Sequence, residues 1–161
     1  MDKVFVGKIV NTHGIKGEFR IKSDFELKDR VFVVGNLIII DGNTYEIMSY
    51  RVHKGYDMIT IKGFSNINDV LPFKGKNVYI NRDTLKLNDN EFILDDLIDA
   101  SVICSGETLG TVSDYTNGEN PLLVVKAKKD FYIPLKGNFI IKFDASTRSL
   151  YVSSSTKELM I

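Results

Sequence analysis

Cysteine occurs once in this chain, tryptophan not at all, proline three times and histidine twice. A single thiol excludes an intrachain disulfide framework, and two histidines with one cysteine cannot assemble the usual structural zinc sites. HExxH, GxSxG and GxGxxG are also missing, which removes the readings as zinc protease, serine hydrolase and dinucleotide-binding protein. Net charge is absent as well. Twenty-one basic residues balance 21 acidic ones, which argues against affinity drawn mainly from a broad phosphate-neutralising surface. No apolar run is long enough for a membrane span, and the opening Asp2-Lys3-Val4-Phe5 alternates like a strand. The expectation is therefore a soluble, cytoplasmic protein without a signal peptide. The lone Cys104 sits in Ser101-Val102-Ile103-Cys104 without basic neighbours, so it reads as a buried small hydrophobe rather than a reactive thiol.

What is present is a globular composition, 43% apolar and 26% charged, arranged in short alternating runs. In Gly17-Glu18-Phe19-Arg20-Ile21-Lys22, Phe19 and Ile21 face one way and the charges the other, the signature of a half-buried strand. Similar runs recur at 4–10, 31–40, 44–50, 58–61 and 76–80, separated by turn formers such as Asp41-Gly42-Asn43 and Lys54-Gly55. One short helix is predicted over 65–71, ending at Pro72 and capping a barrel end. The polar stretch from Thr84 to Glu91 reads as a boundary, after which strand patterns resume at 101–104, 108–115, 122–126, 131–134, 139–143 and 150–152. The last six residues, from Thr156, are read as a final helical turn that docks or frays. Splitting the chain near residue 85 leaves a net charge of +3 before and −3 after. The predicted fold is all-β, two small β-barrels: a domain over 1–83, a linker over 84–90 and a second domain over 91–161.

Few constellations suggest chemistry. His13-Gly14-Ile15-Lys16-Gly17-Glu18 superficially resembles a phosphate loop, but it lacks the Gly-Lys-Ser/Thr ending and leads into a strand rather than a helix. Asp95, Asp96 and Asp99 around Leu97 and Ile98 read as turn or cap residues rather than paired catalytic carboxylates. Lys126, Lys128, Lys129 and Asp130 read as a charged hairpin tip.

The His13–Glu18 hexapeptide, preceded by Val6-Gly7-Lys8-Ile9-Val10, resembles the RimM family of bacterial ribosome maturation factors. Further landmarks follow in order: Asp96-Leu97-Ile98, Thr108-Leu109-Gly110-Thr111-Val112, Asn117-Gly118-Glu119-Asn120 before Leu122-Leu123-Val124-Val125, Ile133-Pro134-Leu135 and Phe143-Asp144. The resemblance covers nearly the whole chain. It implies an N-terminal barrel like those of translation factors joined to a C-terminal PRC barrel. It also implies an assembly chaperone, not an enzyme, that binds the free, immature small ribosomal subunit through the nineteenth protein of the small-subunit series. Such a factor assists 16S rRNA processing and head assembly, with no cofactor and no metal; the chain is expected to act as a monomer.

The same resemblance assigns the partner contact to the segment entering the second domain, here Phe92, Ile93, Leu94, Asp96 and Leu97. Phe92 keeps one family aromatic, Ile93 and Leu94 replace two others, and Asp99 replaces the usual glycine. An exposed Phe-Ile-Leu edge would bury apolar area against a partner, although interfaces do not convert area directly into affinity; packing of the same residues into the domain core is the equal alternative. Asn120-Pro121 stands where the family commonly has Asn-Asp. In the first domain, His13, Lys16, Glu18 and Arg20 are the candidate ligand or direct rRNA contacts. Two other readings compete: a stand-alone RNA-binding barrel using Lys16, Arg20, Lys22, Phe5 and Phe19, and a small hydrolase using His13 and Glu18.

Overall fold

The structure is a computed structural model describing residues 2–161, and the chain divides into two compact units, the first ending at Lys86 and the second beginning at Leu87. Both are built from strands, and each is described by itself.

The first unit is a closed barrel of six strands: β1 (Lys3–His13), β2 (Glu18–Lys22), β3 (Leu37–Ile40), β4 (Asn43–His53), β5 (Tyr56–Ile61) and β6 (Asn77–Asn81), in the order β1-β2-β5-β4-β3-β6. Alternation sends Val4, Val6, Ile9, Phe19, Ile21, Ile59 and Ile80 inward, all buried. Closure needs bends, and register shifts supply them between Phe5 and Gly7 on β1 and between Ile47 and Ser49 on β4. At the first shift the backbone of β1 approaches β2 so closely that a Cβ on Gly7 would lie 2.9 Å from both Ile21 Cγ2 and Lys22 O.

Two short helices cover this barrel. The run 31–40, read as one strand, is instead the end of α1 (Lys28–Val31), a turn, and then β3. Asn36 Nδ2 donates to the carbonyls of Arg30 (2.9 Å) and Val31 (3.1 Å), and Gly35 takes φ +96°, so the chain turns where the apolar run continues. The expected helix near 65–71 is α2 (Ile67–Val70), followed by a 3₁₀ turn at Leu71–Phe73. It begins at Asn66, whose Oδ1 accepts from Asp69 N at 3.1 Å. Phe73 then packs on the inward-facing Phe19 and on Tyr45 and Phe64, with ring centroids 5.2, 5.4 and 5.4 Å apart.

Near α1, Asp57 is 2% exposed and its carboxylate accepts from Lys28 Nζ at 3.0 Å and from Tyr50 Oη at 2.7 Å. Phe32 stacks on the Tyr50 ring at 5.7 Å. Burial, then the bond to Asp57, push the Tyr50 phenol from 10.0 up to about 12. Its folded value lies above its unfolded one, so the stability tied to the protonated phenol is complete below the unfolded value and is lost as pH rises through about 12. In an alkaline absorbance titration, Tyr50→Phe is expected to remove the step that follows the ordinary phenol transitions; an unchanged late step would contradict this.

The second unit is a curled six-stranded sheet of β7 (Ser101–Cys104), β8 (Glu107–Tyr115), β9 (Leu122–Lys126), β10 (Phe131–Pro134), β11 (Ile140–Asp144) and β12 (Ser149–Val152), ordered β10-β9-β8-β7-β12-β11. β7 and β12 pair in parallel, Val102 opposite Leu150. Leu97, Val102, Cys104, Val112, Leu123, Val125, Ile133 and Leu150 are fully buried at its centre. The C-terminal residues form a 3₁₀ stretch, Ser154–Met160, against β10, with Thr156 buried and Leu159 and Met160 resting on the core.

Candidate functional site

The loop joining β1 to β2 owes its shape to its two glycines. Gly14 and Gly17 take φ +72° and +77°, and Gly17 N donates to Gly14 O at 3.4 Å. Gly14 stands in open space, whereas a Cβ on Gly17 would lie 2.7 Å from the Asn66 carbonyl oxygen. Ile67 N donates to Ile15 O at 3.1 Å, so the start of α2 clamps the loop from one side. What projects is Ile15, 81% exposed, and Lys16, which borders a shallow groove with Met48, Thr60, Lys62 and Phe64.

Beyond the loop, His13 pairs with Glu18 across the β1–β2 ladder. Glu18, Arg20 and Lys22 share the outer face of β2 because Phe19 and Ile21 occupy the inner one. Arg20 Nη2 lies 3.2 Å from His13 Nδ1, and its guanidinium carbon sits 5.3 Å from the centre of the Tyr56 ring. Arg is only a donor, so His13 Nδ1 accepts and this arrangement assigns the ring proton to Nε2. From β4, Arg51 reaches Glu18 with two bonds, Nε at 2.9 Å and Nη2 at 2.7 Å, and these hold the Glu18 carboxyl below its usual range. His53, two residues further on, brings its ring within 5.4 Å of His13. Burial, then the charges of Arg51 and Lys54, followed by those of His13 and Arg20, push its pKa down.

The residues read from the motif thus separate. His13, Glu18 and Arg20 meet on one outer face, while Lys16 stands at the loop groove. Arg51, His53 and Tyr56 complete the cluster and were missed; the alternation of Arg51 with His53 on one parity of β4 was the available signal. Glu18 is committed to Arg51 and His13 Nδ1 to Arg20, so neither is poised as a base against a nucleophile. Among the described residues, no group of three or more His, Cys, Asp or Glu side chains is placed to hold a metal ion.

In the second unit, the segment that the sequence left open between an exposed apolar edge and core packing is mostly core. Ile93, Leu94 and Leu97 are 3%, 5% and 0% exposed, because the segment coils into a 3₁₀ turn, Leu94–Leu97, that drives these side chains inward. Asp96 ties the turn together by accepting from Ile93 N at 3.1 Å. Phe92 is half-buried, edge-on to Phe143 at 5.9 Å, and Asp95 bonds the Tyr115 hydroxyl. The surface of the segment is therefore mainly acidic, with Asp95 and Asp99 exposed and Glu91, Phe92, Asp96 and Ile98 half-buried, rather than an aliphatic ridge.

A family model described as the RimM N-terminal domain matches residues 4–85. A protein of Staphylococcus saprophyticus named "Ribosome maturation factor RimM" is 37% identical over 160 residues, covering 94% of this chain and 95% of its own length. A protein of the same name from Staphylococcus aureus is 36% identical over 159 residues, with the same coverage. A solved structure from Pseudomonas aeruginosa, described as a 16S ribosomal RNA processing protein RimM, aligns over 97% of this chain and 99% of its own, with a TM-score of 0.48 at 23% identity.

Proposed function

The chain belongs to the RimM family of ribosome maturation factors, and from that membership we propose that it is an assembly chaperone of the small ribosomal subunit. It binds the free, immature particle as a monomer in the cytoplasm and assists 16S rRNA processing and head assembly through binding, without turnover or cofactor. The observation that carries this reading is the extent of the match: relatives of that name align with 94% of the chain, both units included.

The protein partner is the nineteenth small-subunit protein, part of the head, and the second unit is its docking element. The acidic surface at Asp95, Asp96 and Asp99 beside the half-buried Phe92 suits a basic partner, and the net charge of −3 beyond residue 85 agrees. The first unit carries the opposite charge and serves direct rRNA contact. Crosslinking of the full chain on purified precursor particles tests the assignment. Links from residues 92–99 to the head protein and from the first unit to 16S rRNA are expected; links confined to other ribosomal proteins would overturn it.

A further inference from the structure

The outer face of the first barrel holds more positive charge than its own carboxylates neutralise. Lys8 lies directly opposite Lys22 in the β1–β2 register, and Arg20 follows two residues before Lys22 on the same face. His13 and His53 come next, with Lys54 in the turn beyond β4. Among the described residues Lys8, Arg20, Lys22 and Lys54 make no salt bridge, and Arg20 Nε is buried without a hydrogen-bond partner. The one carboxylate in the cluster, Glu18, is held by Arg51. Charges on alternate residues of a strand repeat about every 7 Å, so these cations form a line rather than a pocket. A line suits a polyanion.

Resting on the family function above, we propose that the face built by His13, Arg20, Lys22 and His53 binds the phosphodiester backbone of RNA with uptake of a proton. Two imidazoles whose centres are 5.4 Å apart, flanked by Arg20, Arg51 and Lys54, cannot both carry charge cheaply. A phosphate laid between them removes that conflict: its oxygens accept from the Arg20 guanidinium, from the His13 Nε2–H and from protonated His53. Tyr56, already under Arg20, offers a flat surface for a neighbouring base.

The groups facing His53 are Arg51 on its own strand, Lys54 in the turn, its register partner Tyr56 on β5, His13 on β1, and Arg20 and Glu18 on β2. In the free protein burial and the neighbouring cations depress its pKa; a bound phosphate raises it. Between those two values binding takes up a proton, so affinity rises as pH falls and is weakest above the bound value.

Fluorescence anisotropy of the full chain with a labelled oligouridylate at about pH 6 and about pH 8, at constant ionic strength, reads this directly. Wild type is expected to bind roughly tenfold tighter at the lower pH. His53→Gln should shrink the pH effect to under about twofold, while Arg20→Gln should weaken binding at both pH values and keep the pH effect. NMR titration of the imidazole C–H signals should show the His53 pKa rising when the oligonucleotide is added. Equal wild-type affinity at the two pH values, or an unmoved His53 pKa, overturns the proposal. So does a serine-phosphorylated peptide that binds as tightly with the same pH response. Sedimentation with precursor small subunits at the higher pH separates the two levels. A chain that sediments but lacks the pH effect loses only this site; one that does not sediment loses the family function for this chain.

Discussion

Replacing Gly17 by alanine is expected to cost the first unit about 3 kcal/mol or more, a larger loss than the same change at Gly14. Both residues have positive φ, +72° at Gly14 and +77° at Gly17, so each substitution carries the left-handed penalty of about 1–2 kcal/mol. Only Gly17 adds a collision, because its new Cβ would lie 2.7 Å from the Asn66 carbonyl oxygen, whereas nothing lies within 4 Å at Gly14. Relief means pushing α2 away from the loop, which breaks the bond from Ile67 N to Ile15 O and disturbs Phe73 against Phe19. Urea unfolding of the full chain, with hydrogen exchange to locate the loss in β1 and β2, measures the difference. Equal costs at the two glycines would mean that the motif serves loop dihedrals alone, not the seat of α2.

The second large effect lies at Leu97. Truncation to alanine should destabilise the second unit by about 2–5 kcal/mol, because the side chain is fully buried in the core cluster that includes Leu94, Val112 and Leu123 and the curled sheet around it can collapse little. A domain of this size holds only a few kcal/mol in reserve, so much of the variant's second unit would be unfolded at physiological temperature. Its loss of partner binding would then follow the unfolded fraction. Asp95→Asn and Phe92→Ala, by contrast, alter the exposed or half-buried part of the same segment and should change binding with much less change in stability. If Leu97→Ala kept full stability and lost binding, Leu97 would be a contact residue and its core assignment would fail.

Much of this architecture was legible because half-buried strands print their two-residue period on the chain. Gly17-Glu18-Phe19-Arg20-Ile21-Lys22 is such a case, and β2 takes up all of it but Gly17. The run from Val31 to Ile40 was read through as one strand, although Gly35-Asn36 interrupts its apolar residues; the positive φ of Gly35 and the Asn36 side-chain bonds to Arg30 and Val31 mark the turn. The candidate site divides similarly. His13, Glu18 and Arg20 lie within one motif, but Arg51 joins Glu18 from 33 residues away, through a register that local pattern does not encode. At Ile93 and Leu94 the alternation of polar and apolar residues could not say whether an aliphatic pair faces core or solvent, and the 3₁₀ turn decides for the core. Asp99 shows the reverse. The resemblance placed a glycine there, and the backbone has φ +68°, a conformation that aspartate tolerates better than most side chains.

The central claim is that this chain works by associating with an immature small subunit. Sedimentation of the full chain with free small subunits, precursor particles and complete ribosomes at low and at moderate salt tests it most directly. The chain should travel with the precursor and free small subunits, be largely absent from complete ribosomes, and lose part of its binding as salt rises. Absence from the small-subunit fractions at low salt, or equal distribution onto complete ribosomes, would contradict it.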